Sequence, residues 1–334
     1  MKTRIILLTL FLLFSIIFSF CTKDENEAMP TSTVSRLYVS NADTDAAVNN
    51  TMIFDPADQN QFDDPYLFDS QLPDANGILF DPFSGMVFQV SRLNKNIRTF
   101  KVNTNGSLSN ANSFIHEGLT SARELAFDRS RNILYVSSNA DSAIYVYENA
   151  ASLKGSVVAN KKLKLNGQPW GIHLENNSLF VVIDQARVEV QLFEQASELV
   201  VGTIAPTKKM TISGAKRLHG ITYSSDKDVL ILTDIAEATS TGFDSDGSIY
   251  VITDASSKFT ATGTSVSPTS TINGSLTSLG NPVDVAWDGE NLIYIAEKAK
   301  RKILVFKYSD SGDVAPSVVA NLTTSPEAIY LDAR

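Results

Sequence analysis

The chain has 334 residues, of which 43% are hydrophobic and 19% are charged, and these values are ordinary for a globular protein. The formal net charge of -9 argues against nucleic acid as a partner, because binding to a phosphate backbone needs a basic face. The single cysteine, Cys21, excludes intramolecular disulfides and any zinc site built from several thiolates.

The chain begins with a segment typical of secretion. Lys2 and Arg4 precede an apolar run over residues 5–20, which is shorter than the about 20 apolar residues of a transmembrane helix. We therefore predict a signal peptide over residues 1–20. A plain membrane anchor with an incidental cysteine is the alternative.

Cys21 directly follows this run and is itself followed by the acidic stretch KDENE. In this respect the N-terminus resembles a bacterial lipoprotein signal. The resemblance implies lipidation of Cys21, export across the inner membrane and attachment to the outer membrane, with exposure at the cell surface favoured by the acidic stretch. Residues 21–34 are predicted to be the lipidated cysteine and a flexible tether, since they show no apolar periodicity.

The rest of the chain repeats one unit, a strand, a polar turn and a second strand, at intervals of roughly 50 residues. The first strands of five such units start at Gly77, Glu124, Gly171, Gly220 and Asp284. Each unit continues with a third strand and a less regular fourth strand, which is typical of a propeller blade. The turns use aspartates that we interpret as structural, namely Asp81, Asp128 and Asp288.

The two ends of the chain complete each other. RLYVSNA and TMIFD, near the start, are second and third strands without a first strand, and AIYLDAR at the end is a first strand alone. We therefore predict an all-β fold over residues 35–334: a six-bladed β-propeller with four-stranded antiparallel blades, its ring closed by the C-terminal strand joining the N-terminal blade. We expect a monomer.

The stretch LYVSSNADSAIYVYE, over residues 134–148, resembles the NHL and YVTN families of β-propellers. The resemblance spans nearly the whole predicted propeller and implies its architecture, but these folds host enzymes and binding modules alike. In propellers, sites form on the face where first strands start and second strands end.

Reading those positions off the sequence gives a ring of polar and aromatic residues. Its predicted ligand-binding residues are Arg92, Arg123, Trp170, His219, Asp284, Glu297 and Glu327. Its catalytic candidates are Glu124, His219 and Asp234. The alternatives are structural pairing of the charges and packing of Trp170 between blades, rather than stacking on a ligand. We interpret His173, inside a first strand, as a satisfied core residue.

Two functions follow, and whether the protein is an enzyme stays open. The first is a non-enzymatic binding module for a protein or glycan. The second is a hydrolase resembling the gluconolactonase-type propellers, which hold one divalent ion between a Glu, an Asn and an Asp. The resemblance implies Glu124, Asn139 and Asp234 as metal ligands, with Asn41 as the alternative to Asn139 and with Ca²⁺ or another divalent cation as the cofactor.

Overall fold

In the computed structural model the strands form six sheets, arranged as the blades of a β-propeller. The structure describes residues 33–45, 48–59, 62–185, 187–237 and 246–334. The predicted signal peptide, Cys21 and the tether up to residue 32 lie outside the described residues. The all-β, six-bladed prediction is confirmed.

The first three blades contain the N-terminal half of the propeller. Blade 1 has, from the axis outward, strands β27 (Pro326–Ala333), β1 (Ser35–Asn41), β2 (Thr51–Phe54) and β3 (Tyr66–Phe68). Blade 2 has β4 (Ala75–Asp81), β5 (Met86–Ser91), β6 (Asn96–Val102) and β7 (Leu108–Ile115). Blade 3 has β8 (Ala122–Asp128), β9 (Ile133–Ser138), β10 (Ala143–Glu148) and β12 (Lys161–Lys164).

The other three blades repeat the same order. Blade 4 has β13 (Pro169–Glu175), β14 (Ser178–Ile183), β15 (Glu189–Phe193) and β17 (Lys208–Ile212). Blade 5 has β18 (Leu218–Ser224), β19 (Val229–Asp234), β20 (Ser248–Thr253) and β22 (Ser270–Asn273). Blade 6 has β23 (Pro282–Trp287), β24 (Leu292–Glu297), β25 (Lys302–Lys307) and β26 (Val318–Asn321).

Three short segments add a fifth strand to the outer edge of the preceding blade. They are β11 (Gly155–Ser156) on β7, β16 (Gly202–Thr203) on β12 and β21 (Thr264–Val266) on β17. Each pairs in parallel, so three blades depart from the predicted purely antiparallel pattern. The loops that carry these strands cover sheet edges that would otherwise be free to pair.

The described helical structure is limited to the helix α1 (Ala255–Lys258) and two 3-10 turns, at Ala150–Ser152 and Ala196–Glu198. A helix with the length and apolar character needed to cross a membrane does not occur among the described residues.

The ring closes as predicted, through β27 and β1. These strands pair antiparallel, with Tyr330 opposite Tyr38 and Ile329 opposite Val39. Each innermost strand contacts the innermost strand of the next blade, and β23 contacts β27 to complete the circle. The ends of the chain therefore supply one blade together.

The core lies between neighbouring blades rather than at the axis. Side chains of β9 on one face and β14 on the other, such as Tyr135 and Val181, are fully buried between blades 3 and 4. Burial of one such apolar side chain contributes about 1.5–3 kcal/mol. This explains why the inner strands read as continuous apolar runs, since both of their faces are covered.

The turn aspartates have the predicted structural role. Asp81 accepts hydrogen bonds from the backbone N–H of Phe83 and Ser84, and Asp128 accepts one from that of Arg131. Asp288 accepts three from the backbone after it. Each carboxylate therefore fixes the turn between the first and second strands of its blade.

Candidate functional site

All six innermost strands are interrupted near their start by the same irregularity. Their pairing with the next strand shifts register there, as at a β-bulge. The interruption spans two residues in blades 2 to 5 and one in blades 1 and 6, and its first residues are Asn76, Arg123, Trp170, His219, Val283 and Glu327. A bulge re-aims a side chain out of the regular alternation, and here it lets side chains from different blades meet.

Arg123, Trp170 and His219 form a cluster that we call the plug. The indole of Trp170 stacks on the His219 ring, with centroids 3.7 Å apart and planes 13° apart. The Arg123 guanidinium lies 4.0 Å from the centroid of the same indole. Arg123 also donates to Asn76 over 3.3 Å and lies 3.8 Å from a Glu327 oxygen. Side chains of five blades are thereby linked, and Trp170 packs between neighbouring blades.

Asp184, at the end of β14, holds the plug from one side. It accepts a hydrogen bond from Nε of Arg217 at 2.7 Å and lies 3.3 Å from Nε2 of His219. Burial would raise the pKa of Asp184, but the hydrogen bonds with His219 and Arg217 outweigh it and hold this pKa well below its usual range. Burial also lowers the pKa of His219, which is only 2% exposed. The imidazole is therefore neutral near pH 7 and shielded from solvent.

Glu327 holds the plug from the other side, and Asp74 holds Arg92 on the same face. Burial would raise the pKa of Glu327, yet the charges of Lys298 and Arg123 outweigh it and lower this pKa. Lys298 donates a hydrogen bond to Glu327. Asp74 accepts a hydrogen bond from Nε of Arg92 at 2.6 Å.

These ion pairs share one orientation. The acids are buried, with side-chain exposures of 4% for Asp74, 1% for Asp184 and 3% for Glu327. The bases remain accessible, with exposures of 42% for Arg92, 32% for Arg217 and 34% for Lys298. We call the side of the disc that carries these three bases the plug face. On this face the accessible member of each pair is the base, although the chain as a whole is acidic.

Two predicted site residues at second-strand ends instead hold loops. Glu297 accepts hydrogen bonds from the backbone N–H groups of Gly280 and Asn281. Asp234 accepts three from the backbone of Lys216, Arg217 and Ala236, and a fourth from the Tyr250 hydroxyl.

The predicted metal ligands therefore do not fit a divalent cation as arranged. Four hydrogen bonds fill the acceptor sites of the Asp234 carboxylate. The amide nitrogen of Asn139 contacts Asp184 at 3.4 Å, and Glu124 lies in the cavity described next. Over the described ranges, His, Cys, Asp and Glu side chains form no group of three or more that could hold a metal ion.

A cavity of about 340 Å³ lies along the channel axis and is lined by all six innermost strands. Its lining begins at Glu124 and Asp284, one residue after the bulged positions, and runs to the strand ends near Arg129 and Trp287. Arg123, Trp170 and His219 do not contribute to its lining, so the plug and the cavity are separate regions.

Glu124 and Asp284 belong to blades 3 and 6, which face each other across the ring. Burial, joined by the charge of Asp284, raises the pKa of Glu124 well above its ordinary value. Burial also raises the pKa of Asp284, to about 7. The Asp284 carboxyl can therefore exchange a proton near neutral pH.

Glycines leave the room for these carboxyls. A Cβ on Gly77 would lie 2.8 Å from Oε1 of Glu124, and a Cβ on Gly220 would lie 2.6 Å from Cα of Asp284. Both glycines occupy, in the adjacent blade, the position equivalent to the acid. The close approach of inner strands explains why small residues stand there.

His173 differs from its interpretation as a satisfied core residue. It lines the cavity, its Nε2 atom is buried without a hydrogen bond, and Glu175 is 4.0 Å away. Burial lowers the pKa of His173 to about 4, so the ring is neutral at pH 7. The prediction failed because alternation along a bulged strand does not show which side faces the channel.

Sequence reasoning missed Asp74, Arg217 and Lys298, which complete the ion pairs of the plug face. Asp74 and Arg217 lie two residues before a bulged position, and Lys298 follows the end of β24. The sequence does show a charged residue near each predicted site residue. It does not show which charges meet, because that depends on the paths of the loops.

The chain matches no protein-family model and no curated protein. It is similar in structure to a chain of a nidogen/laminin complex, with a TM-score of 0.60 and 12% identity over 89% of this chain and 98% of that one. It is also similar to two putative 6-phosphogluconolactonases. For the one from Bacteroides uniformis ATCC 8492 the TM-score is 0.61 and the identity 11%, over 90% and 99% of the chains. For the one from Bacteroides fragilis NCTC 9343 the values are 0.58 and 11%, over 92% and 100%. At these identities the likeness shows the propeller fold alone.

Proposed function

We propose that this chain is a binding module of the cell envelope, anchored by a lipid on Cys21, whose plug face holds an acidic group of a protein or glycan. The observation that carries the proposal is the shared orientation of the ion pairs, with buried acids beneath accessible bases. A ligand carboxylate would meet cations that are already fixed in place.

The two arginines suit this role in detail. Arg92 and Arg217 each direct Nε and Nη2 at their buried acid. Because a guanidinium carries five N–H donors, the remaining nitrogen of each can donate to a ligand. The ion pair already restricts the long side chain, so binding loses less conformational entropy than it would with a free arginine.

Binding of an acidic oligosaccharide tests the proposal. We expect oligogalacturonate to bind and a neutral maltooligosaccharide of the same length not to bind, with polyglutamate as the protein-like acidic probe. The double variant Arg92→Gln/Lys298→Gln should weaken binding by about tenfold or more, since it removes two charge-assisted hydrogen bonds. Lys154→Gln, an exposed charge in the loop before β12, is the matched control.

Melting temperatures separate lost binding from lost folding, because Arg92→Gln leaves Asp74 buried without its partner. The proposal is wrong if the neutral probe binds as tightly as the acidic one, or if the double variant and Lys154→Gln bind alike.

A lactonase-type hydrolase is the second candidate. It is favoured by the raised pKa values of Glu124 and Asp284, which suit acid–base catalysis, and by the names of two structures that share the fold. Against it stands the saturated carboxylate of Asp234. Calorimetry with Ca²⁺ and Zn²⁺, and lactone hydrolysis followed at constant pH, decide the matter. Micromolar metal affinity and hydrolysis that are both lost in Glu124→Gln would favour the enzyme.

A further inference from the structure

The cavity behind the plug is separate from the plug face and has its own chemistry. Its volume of about 340 Å³ offers room for about ten water molecules, or for a small organic molecule. The plug lies between the two regions. Hydrogen bonds and ring stacking connect its side chains to several blades. A ligand in the cavity would therefore enter from the far side, where Arg129 and Trp287 lie.

Three carboxyl residues line this cavity, and two of them, Glu124 and Asp284, lack a nearby counter-ion, while Glu175 lies 4.0 Å from His173. Arg129 is the arginine among the described residues that line the cavity, and it forms an ion pair with Asp81 at 2.9 Å. On the plug side, Lys298 and Arg123 are engaged by Glu327. Among the described lining residues, therefore, no cation is directed at Glu124 or Asp284.

The walls favour a particular kind of cation. The residues that line the cavity between the carboxyls and the open end include four aromatic ones, namely Phe127, Tyr223, Trp287 and Tyr330. Aromatic faces attract ammonium and guanidinium groups, and more strongly where water is excluded. Ca²⁺ prefers six to eight oxygen ligands, and two carboxyls among rings do not supply them.

Polar atoms that lack partners also point to an occupant. Nε2 of His173 and Nε1 of Trp287 are buried without hydrogen bonds, and both residues line the cavity. A buried polar atom without a partner costs about 1–3 kcal/mol. A ligand with a polar group beside its cationic centre would give such atoms a partner.

We propose that this cavity is a second binding site, for a small organic cation such as a primary amine, with Glu124 and Asp284 as its counter-ions and the aromatic rings as its walls. The site does not depend on the proposed function of the plug face. Its closed end is formed by the opposed carboxyls, and its open end lies near Arg129 and Trp287.

The test titrates the full chain with n-butylammonium and follows both thermal stabilisation and tryptophan emission. The sequence contains two tryptophans, Trp170 and Trp287, so a Trp170→Phe background reports on Trp287 alone. We expect saturable binding that shifts this emission and raises the melting temperature, as a ligand of the native state must. Neutral butanol and anionic butyrate at the same concentrations are the matched probes.

Asp284→Asn and Glu124→Gln should each weaken binding of n-butylammonium by about tenfold or more, because each removes one counter-ion. Asp226→Asn, an exposed acid on the turn after β18, should leave it unchanged. Two independent carboxyl variants keep the test informative if one of them fails to fold.

Three results would overturn the proposal. The first is that butanol binds as tightly as n-butylammonium. The second is that Asp226→Asn and both carboxyl variants bind n-butylammonium with equal affinity. The third is that Ca²⁺ binds tightly and the amine does not bind. A failure on the plug face would leave all of these measurements unaffected, so the two proposals fail separately.

Discussion

Replacing Gly171 by alanine tests whether the close approach of the inner strands holds the plug together. A Cβ at this position would lie 2.2 Å from the backbone oxygen of His219 in the next blade. Since real Cβ atoms do not approach within 3.0 Å, β13 and β18 would have to separate by at least 0.8 Å, the difference between 3.0 and 2.2 Å. The backbone oxygen of His219 cannot avoid the added methyl group by a change of rotamer, as a flexible side chain could.

Overpacking of a well-packed interior costs about 1–3 kcal/mol, and we expect the upper end because both strands are held by neighbours. Urea unfolding followed by circular dichroism measures this loss. Ala328→Gly is the matched control, because blade 1 already carries a methyl group at the equivalent position, and it should cost only about 0.5–1 kcal/mol. If Gly171→Ala is as stable as wild type to within about 0.5 kcal/mol, the inner strands are not packed as described.

Three further outcomes are expected. The pKa of Asp284 is raised, so the stability it contributes is present below the unfolded pKa near 4 and is lost as pH rises through about 7. As pH rises from 5 to 8, the free energy of unfolding of Asp284→Asn, measured by urea titration, should therefore increase relative to that of the wild type. A difference between the two proteins that stays constant with pH would contradict this. Deletion of residues 326–334 removes β27 and should give an aggregating chain by size-exclusion chromatography, whereas a soluble monomer would contradict ring closure. Cys21→Ala should move the protein from the membrane fraction to the soluble fraction of cells, and unchanged membrane association would refute lipidation.

The propeller could be predicted because its signals are local and repeated. Each first strand is an apolar run followed by a turn aspartate, and these features do not depend on distant contacts. Closure followed from counting strands, since RLYVSNA lacks an inner partner and AIYLDAR lacks the rest of a blade. The fifth strands were missed because β11, β16 and β21 are only two or three residues long and lie within loops.

The site could be predicted only as a set of residues. The rule that sites form where first strands start gave Arg123, Trp170 and His219, which are neighbours in space. It placed Arg123 and Glu124 in one ring, whereas the structure puts Arg123 in the plug and Glu124 in the cavity behind it. A bulge of one residue decides this difference, and bulges have no reliable sequence signal at these positions.

The asymmetry of the channel follows from where the sixfold repeat is broken. At the level behind the plug, four blades carry glycine or alanine and only blades 3 and 6 carry an acid, so the two acids face each other with room between them. At the position one residue earlier, every blade carries a different residue, and three of these residues, Arg123, Trp170 and His219, form the plug. The acids of the plug face are paired with bases, whereas Glu124 and Asp284 in the cavity have no such partner. The plug lies between these two regions, so the two proposed sites differ in the groups that they offer to a ligand.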